Sequence, residues 1–158
     1  MSSNENYIYK DTTKNTRTLP GTAYFFEQSI NDGITERGIF YEQSKNNHHV
    51  NVATFLDTAT NSGSCVSATF LEHAINQGTN IDYGVFLDAS LNTSAVKVSN
   101  FKNNSINAAT TTLTAVFEND AINNGTVEYG VFLGDSINNG IVKTATFKDS
   151  STNKGIIL

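Results

Sequence analysis

The chain has 158 residues, a formal net charge of −5, 38% hydrophobic and 16% charged residues. That length suits one domain of ordinary size. A lone cysteine, Cys65, excludes an internal disulfide framework, and ten Phe with six Tyr exclude the aromatic-poor composition of a disordered chain. Asparagine occurs 21 times against 11 glycines. Its side chain competes with the backbone for hydrogen bonds, so such a composition argues against helices.

Residues 1–21 open the chain without an evident period and are expected to form an N-terminal arm, or a cap over the residues after them. They hold Tyr7, Ile8 and Tyr9, with Lys10, Lys14 and Arg17 against Glu5 and Asp11. They contain no apolar stretch of the kind a secretory signal carries, and no segment of the chain approaches the eighteen or so apolar residues of a membrane-spanning helix. No membrane partner is expected. The acidic balance argues against nucleic acid as a partner.

From residue 22 to 158 the sequence repeats itself. Phe recurs at Phe25, Phe40, Phe55, Phe70, Phe86, Phe101, Phe117, Phe132 and Phe147, at intervals of 15 or 16 residues. Six residues after each Phe stands Asn: Asn31, Asn46, Asn61, Asn76, Asn92, Asn107, Asn123, Asn138 and Asn153. Two before each Phe, and four after it, stands Gly, Ala or Ser. Eight after it comes Gly in six units, replaced by His48, Ser94 and Ala109 in the others. Each column of the repeat is numbered by its offset from Phe.

Helical-pair repeats need thirty or more residues per unit and propeller blades about forty, and a Gly eight residues after Phe would break a helix. A unit of fifteen fits one coil of a single-stranded parallel β-solenoid, an all-β fold of about nine coils rising about 4.8 Å each. Columns −2 and 0 share one face by strand alternation and are expected to point inward, with the nine Phe stacked. Asn-x-Gly is expected at a corner where φ turns positive, with the Asn residues forming an amide ladder. The structural core is thus the nine Phe with Asn31, Asn61, Asn76, Asn123 and Asn138 and their column mates. Periodicity leaves open whether the small residue at +4 or the frequent Ile at +5 faces inward. The two 16-residue units call for a bulge or a longer corner, and the unit from Phe101, which runs Ala-Ala-Thr-Thr-Thr in place of Gly, for a looser one.

No catalytic motif is present, and the chain is not expected to be an enzyme or to hold a cofactor or metal. His48 and His49 are adjacent and His73 falls in another column; these suit a polar corner. Cys65 suits a small core filler. Carboxylates follow Phe by two residues at Glu27, Glu42, Asp57, Glu72, Asp88 and Asp149, and by three at Asp120 and Asp135. A solvated corner explains them better than a calcium site, because no unit supplies several oxygens. Column +1 reads Phe26, Tyr41, Leu56, Leu71 and Leu87, then Lys102, Glu118, Leu133 and Lys148. If Phe points in, these five apolar residues point out, and with Tyr7 and Tyr9 they make a candidate interface in the N-terminal half. The competing reading is that the chain already turns at +1 and tucks them beneath the corner.

The unit Ala-Thr-Phe-Leu-Glu-His-Ala-Ile-Asn-Gln-Gly at 68–78 resembles repeats in structural proteins of marine phages such as cyanophages. The resemblance covers residues 22–158. It implies a non-catalytic virion component, made in a host cytoplasm: a capsid decoration or spike protein, or alternatively a tail or fibre segment or adhesin. Its partners would be capsid or tail proteins and copies of itself. Three other classes compete. An ice-binding solenoid would show Thr-x-Thr at columns −3 and −1, which only Thr144 and Thr146 supply. A DNA-mimicking topoisomerase inhibitor would carry a five-residue unit. A polysaccharide lyase would need longer coils.

Overall fold

In the computed structural model, which describes residues 5–110 and 112–158, the chain is an all-β parallel solenoid. Each coil has a long strand ending at or just after the Phe, and a two-residue strand ending at the Asn, as in Thr35–Phe40 with Lys45–Asn46 or Ser64–Phe70 with Ile75–Asn76. The long strands stack in sequence order into an eleven-stranded sheet and the short ones into a ten-stranded sheet. Register is kept Phe on Phe and Asn on Asn from coil to coil.

Ten coils stack, and the additional one lies in the segment expected to be an arm. Asn6–Tyr9 pairs in parallel with the strand Leu19–Phe25, placing Tyr9 on Phe25, and Lys14–Asn15 pairs with Ile30–Asn31. Residues 6–15 are therefore coil 1, and the coils of Phe25 to Phe147 are coils 2 to 10. Tyr9 takes the Phe position and Asn15 follows it by the same six residues. The disguise lies in the other columns, where Tyr7 replaces a small residue and Arg17 replaces Gly.

Columns −5, −2, 0, +4 and +6 face inward. The Phe rings from Phe25 to Phe132 are fully buried, and successive rings lie 4.6–4.9 Å apart at 3–12° between planes. The rung spacing of a parallel sheet imposes this distance, and offset stacking is a favourable geometry for aromatic rings. Small residues at −2 make room: a Cβ on Gly38 would lie 2.6 Å from the Phe40 ring. At +4 the small residue is buried and the Ile at +5 is half-buried on the outside. A tight turn, closed in coil 2 by the Ser29 N–H donating to the Phe26 carbonyl at 3.1 Å, resets the alternation.

The Asn column forms the amide ladder. Each side-chain Nδ2 donates to Oδ1 of the next coil, from Asn15 through to Asn153, at 2.7–3.0 Å. In several coils Oδ1 also accepts the N–H of residue +8, as from Gly78 and Gly125. Buried amides are thus satisfied along the rod, as burial demands.

Positive φ is not at Asn-x-Gly. Gly at +8 is needed for close approach instead: a Cβ on Gly63 would lie 1.8 Å from the His48 carbonyl oxygen of the coil before. A left-handed residue stands at +2 in all ten coils: Asp11, Glu27, Glu42, Asp57, Glu72, Asp88, Asn103, Asn119, Gly134 and Asp149, with φ of 45–61°, joined at +3 by Ala89 and Asn104. Of the two 16-residue units, the first places its longer corner at 77–80, where Asn80 has φ 57°. The expected loose corner after Phe101 includes residue 111, outside the described residues. Ala109, at the Gly position there, is buried and donates its N–H to Asn107 Oδ1 at 3.3 Å.

Candidate interaction surfaces

The sequence-predicted stripe at +1 sits where the chain turns. Phe26, Tyr41, Leu56, Leu71 and Leu87 are all half-buried, each leaving part of its side chain on the surface. Phe26 and Tyr41 stack at 4.8 Å, and the Lys10 ammonium lies 5.8 Å from the Phe26 ring centre. In coils 7 and 8 the same column holds the ion pair Lys102–Glu118 at 2.9 Å. Tyr7 and Tyr9 do not reach the stripe. Both pack against the hydrophobic core at its N-terminal end, where the Tyr9 hydroxyl donates to Asn15 Oδ1 at 3.2 Å. Tyr7 donates to the Glu5 carboxylate, and that bond raises its pKa from the ordinary tyrosine value.

The acidic corner has a structural explanation. The left-handed residue at +2 turns its N–H toward the following coil, whose carboxylate accepts it: Asp11 N–H to Glu27 at 2.7 Å, Glu27 N–H to Glu42 at 2.8 Å, Glu42 N–H to Asp57 at 3.3 Å. In coils 7 and 8 Asn replaces the acid, and Asn119 Nδ2 donates to Asn103 Oδ1 at 2.8 Å. Glu72 shares a hydrogen bond with the Asp57 carboxyl, which raises its pKa, and the nearby Asp57 charge adds to the effect. Asp120 and Asp135 lie on the same corner, exposed. Among the described residues, no group of three or more His, Cys, Asp or Glu is placed to hold a metal.

The histidines stay apart. His49 is bonded through its ring nitrogens to Ser64 Oγ and Asn51 Oδ1, both at 2.8 Å, while His48 and His73 are exposed. Cys65 is buried at column −5, and burial pushes its thiol up to about 12.

The broadest outward surface is the face of the eleven-stranded sheet. Each long strand steps over one pairing position, as where Ile81↔Val96 is followed by Tyr83↔Val98. Columns −4 and −3 therefore both face out, followed by −1. Column −3 exposes Val52 (50%), Tyr83 (59%), Val98 (42%) and Tyr129 (48%). Column −1 adds half-buried Ile39, Val85, Val116 and Val131. In coils 2–10, columns −3 and −1 carry a single charged residue, Arg37. Charges gather at −4, in Asp82–Lys97 at 2.5 Å and Glu128–Lys143 at 3.1 Å. Each hydrogen-bonded carboxylate raises the pKa of its lysine. This face was legible as alternation outward from Phe. A search for Thr-x-Thr alone passes over its shortage of charge.

The fold defines a class: a β-solenoid repeat protein built on Phe and Asn columns. Comparison with protein-family models, with curated proteins and with solved structures finds no match.

Proposed function

We propose that the protein is a non-catalytic structural component of a virus particle, a capsid decoration or spike protein that docks to capsid or tail proteins through its N-terminal half. The resemblance of its repeat to phage structural proteins supports this reading. The observation that carries it is the asymmetry of the corner. Phe26, Tyr41, Leu56, Leu71 and Leu87 form five consecutive half-buried apolar rungs, while coils 7, 8 and 10 place Lys102, Glu118 and Lys148 there. A half-buried apolar ridge on one half of a rod gives a partner an anchor, and interface energy concentrates in such aromatic and aliphatic groups. The other half holds a charge at the same column in three of its four coils, Lys102 and Glu118 as an ion pair.

The test is cosedimentation of the purified protein with phage shells lacking it. Wild type is expected to pellet with the shells. Leu71→Asp and Tyr41→Ala are expected to reduce binding by about tenfold or more. Binding that survives both substitutions, or no binding to any shell, would overturn the reading.

A further inference from the structure

We propose that the outward face of the eleven-stranded sheet is a homodimer interface, on which a second copy of this chain packs face to face with its rod antiparallel. Nothing in this pairing requires a particle. Periodicity is the first reason for it: a partner must match a corrugation that repeats every coil over eight coils, and a second copy does so by construction. Dry faces of stacked strands interdigitate in this way.

The residues then select one arrangement. A two-fold axis running along the strand direction, between coils 6 and 7, brings each column against itself with the coil order reversed. In column −4 it sets Glu36 against Lys143 of the second copy, Asp82 against Lys97 and Val66 against Leu113. In column −3 it sets Tyr83 against Val98, Val52 against Tyr129 and Ser67 against Thr114. In these pairs acid meets base, large meets smaller apolar, and small polar meets small polar, the self-complementarity an isologous contact requires, while Arg37 and Glu128 meet the neutral polar Thr144 and Asn51. In column −1 the same axis sets Thr69 against Val116 and Thr54 against Val131.

Alternatives fail on charge. Sliding one copy by one coil sets Asp82 against Asp82 and Glu36 against Glu128, or, the other way, Lys97 against Lys97. Parallel rods would lay Glu36, Asp82 and Glu128 over Ile39, Val85 and Val131. Like charges facing one another, and charges desolvated over apolar groups, both oppose association. The matched face spans roughly 38 Å by 13 Å, so a pair covers about 1,000 Å² in projection, the lower bound for a specific interface.

Sedimentation equilibrium of the full chain at about 1–200 µM tests the proposal, since dimers of this size dissociate in that range or below it. Wild type is expected to have the dimer mass. Tyr83→Glu and Val98→Glu change exposed side chains, so they should leave the circular dichroism spectrum intact and weaken dimerisation by about 100-fold. Glu36→Lys should weaken it by about tenfold, and adding Lys143→Glu should restore it to within about threefold. Positions 36 and 143 stand seven coils apart, about 34 Å, so the restoration cannot arise within one chain. A wild-type monomer across the range, a dimer unmoved by Tyr83→Glu, or a double variant as weak as Glu36→Lys would each overturn the proposal.

Discussion

The first coil and the tenth carry the same columns and are built differently. In coil 1 the Asn15 side chain is buried beneath Tyr9, and Tyr7 occupies a column that holds Gly, Ala or Ser in every other coil. In coil 10 Phe147 is only half-buried, Asn153 is exposed, and Ile156, Ile157 and Leu158 face solvent. Phe147 still stacks on Phe132 at 4.7 Å, and Asn153 still accepts from Asn138 at 2.7 Å. A solenoid residue draws its burial from the coils on both sides, so identical residues in one column contribute unequally. Tyrosine rings and a hydroxyl cover Asn15 in the first coil, whereas the tenth keeps the repeat unit unmodified.

The largest expected effects break the comparison at mid-rod. Phe86→Ala removes a fully buried ring between two stacked neighbours and should cost about 3–5 kcal/mol in urea denaturation. Phe147→Ala, with one neighbour, should cost no more than about 1–2 kcal/mol. Asn123→Ala breaks two ladder bonds and strands Asn107 and Asn138, at about 1–3 kcal/mol, while Asn153→Ala should fall within about 0.5 kcal/mol of wild type. Equal losses at both positions would mean that burial along the rod does not set these values.

How far the sequence already contained this comparison differs from column to column. The fold was legible because Phe and Asn recur in all nine obvious units. Coil 1 was not, because Tyr9 replaces the Phe, Tyr7 the small residue before it and Arg17 the Gly, leaving Asn15 as the one retained letter among these. Burial of +4 over +5 depended on the turn between 26 and 29, which resets alternation and which no period reveals. Left-handed φ at Glu27, Glu42 and Glu72 runs against residue preference. The signal lay in their column mates Asn103, Asn119 and Gly134. The candidate stripe at +1 followed from strand alternation carried one residue past the point where the strand ends.

Two smaller effects sharpen the comparison. The buried +4 column holds Ser29, Ser44, Ser90, Ser105 and Ser136 with hydroxyls that meet no partner, whereas Ala59, Ala74 and Ala121 fill the same place. Ser105→Ala should therefore be neutral or stabilise by up to about 1 kcal/mol in thermal melts. Ser151, in the tenth coil, donates its hydroxyl to the Lys148 carbonyl at 2.6 Å, with the Phe132 carbonyl as an alternative acceptor at 3.1 Å, so Ser151→Ala should not stabilise. At the acidic corner the raised pKa of Glu72 means that the folded state binds a proton more tightly than the unfolded state. Its contribution is present at low pH and is lost as pH rises through the folded pKa. Glu72→Gln should raise Tm at neutral pH and reduce the gain that wild type shows on mild acidification.

Hydrogen exchange along the whole chain, followed by mass spectrometry, tests most directly the claim that residues 6–15 are a coil held by the same two columns as the rest. Strong protection is expected in the long strands of coils 4 to 8, together with protection of Tyr7 and Tyr9, whose N–H groups face coil 2, well above that of an open chain, lost when Tyr9→Ala removes the first stacked ring. Residues 6–15 exchanging at the rate of an unfolded peptide in the wild type, with coils 4 to 8 protected, would contradict it.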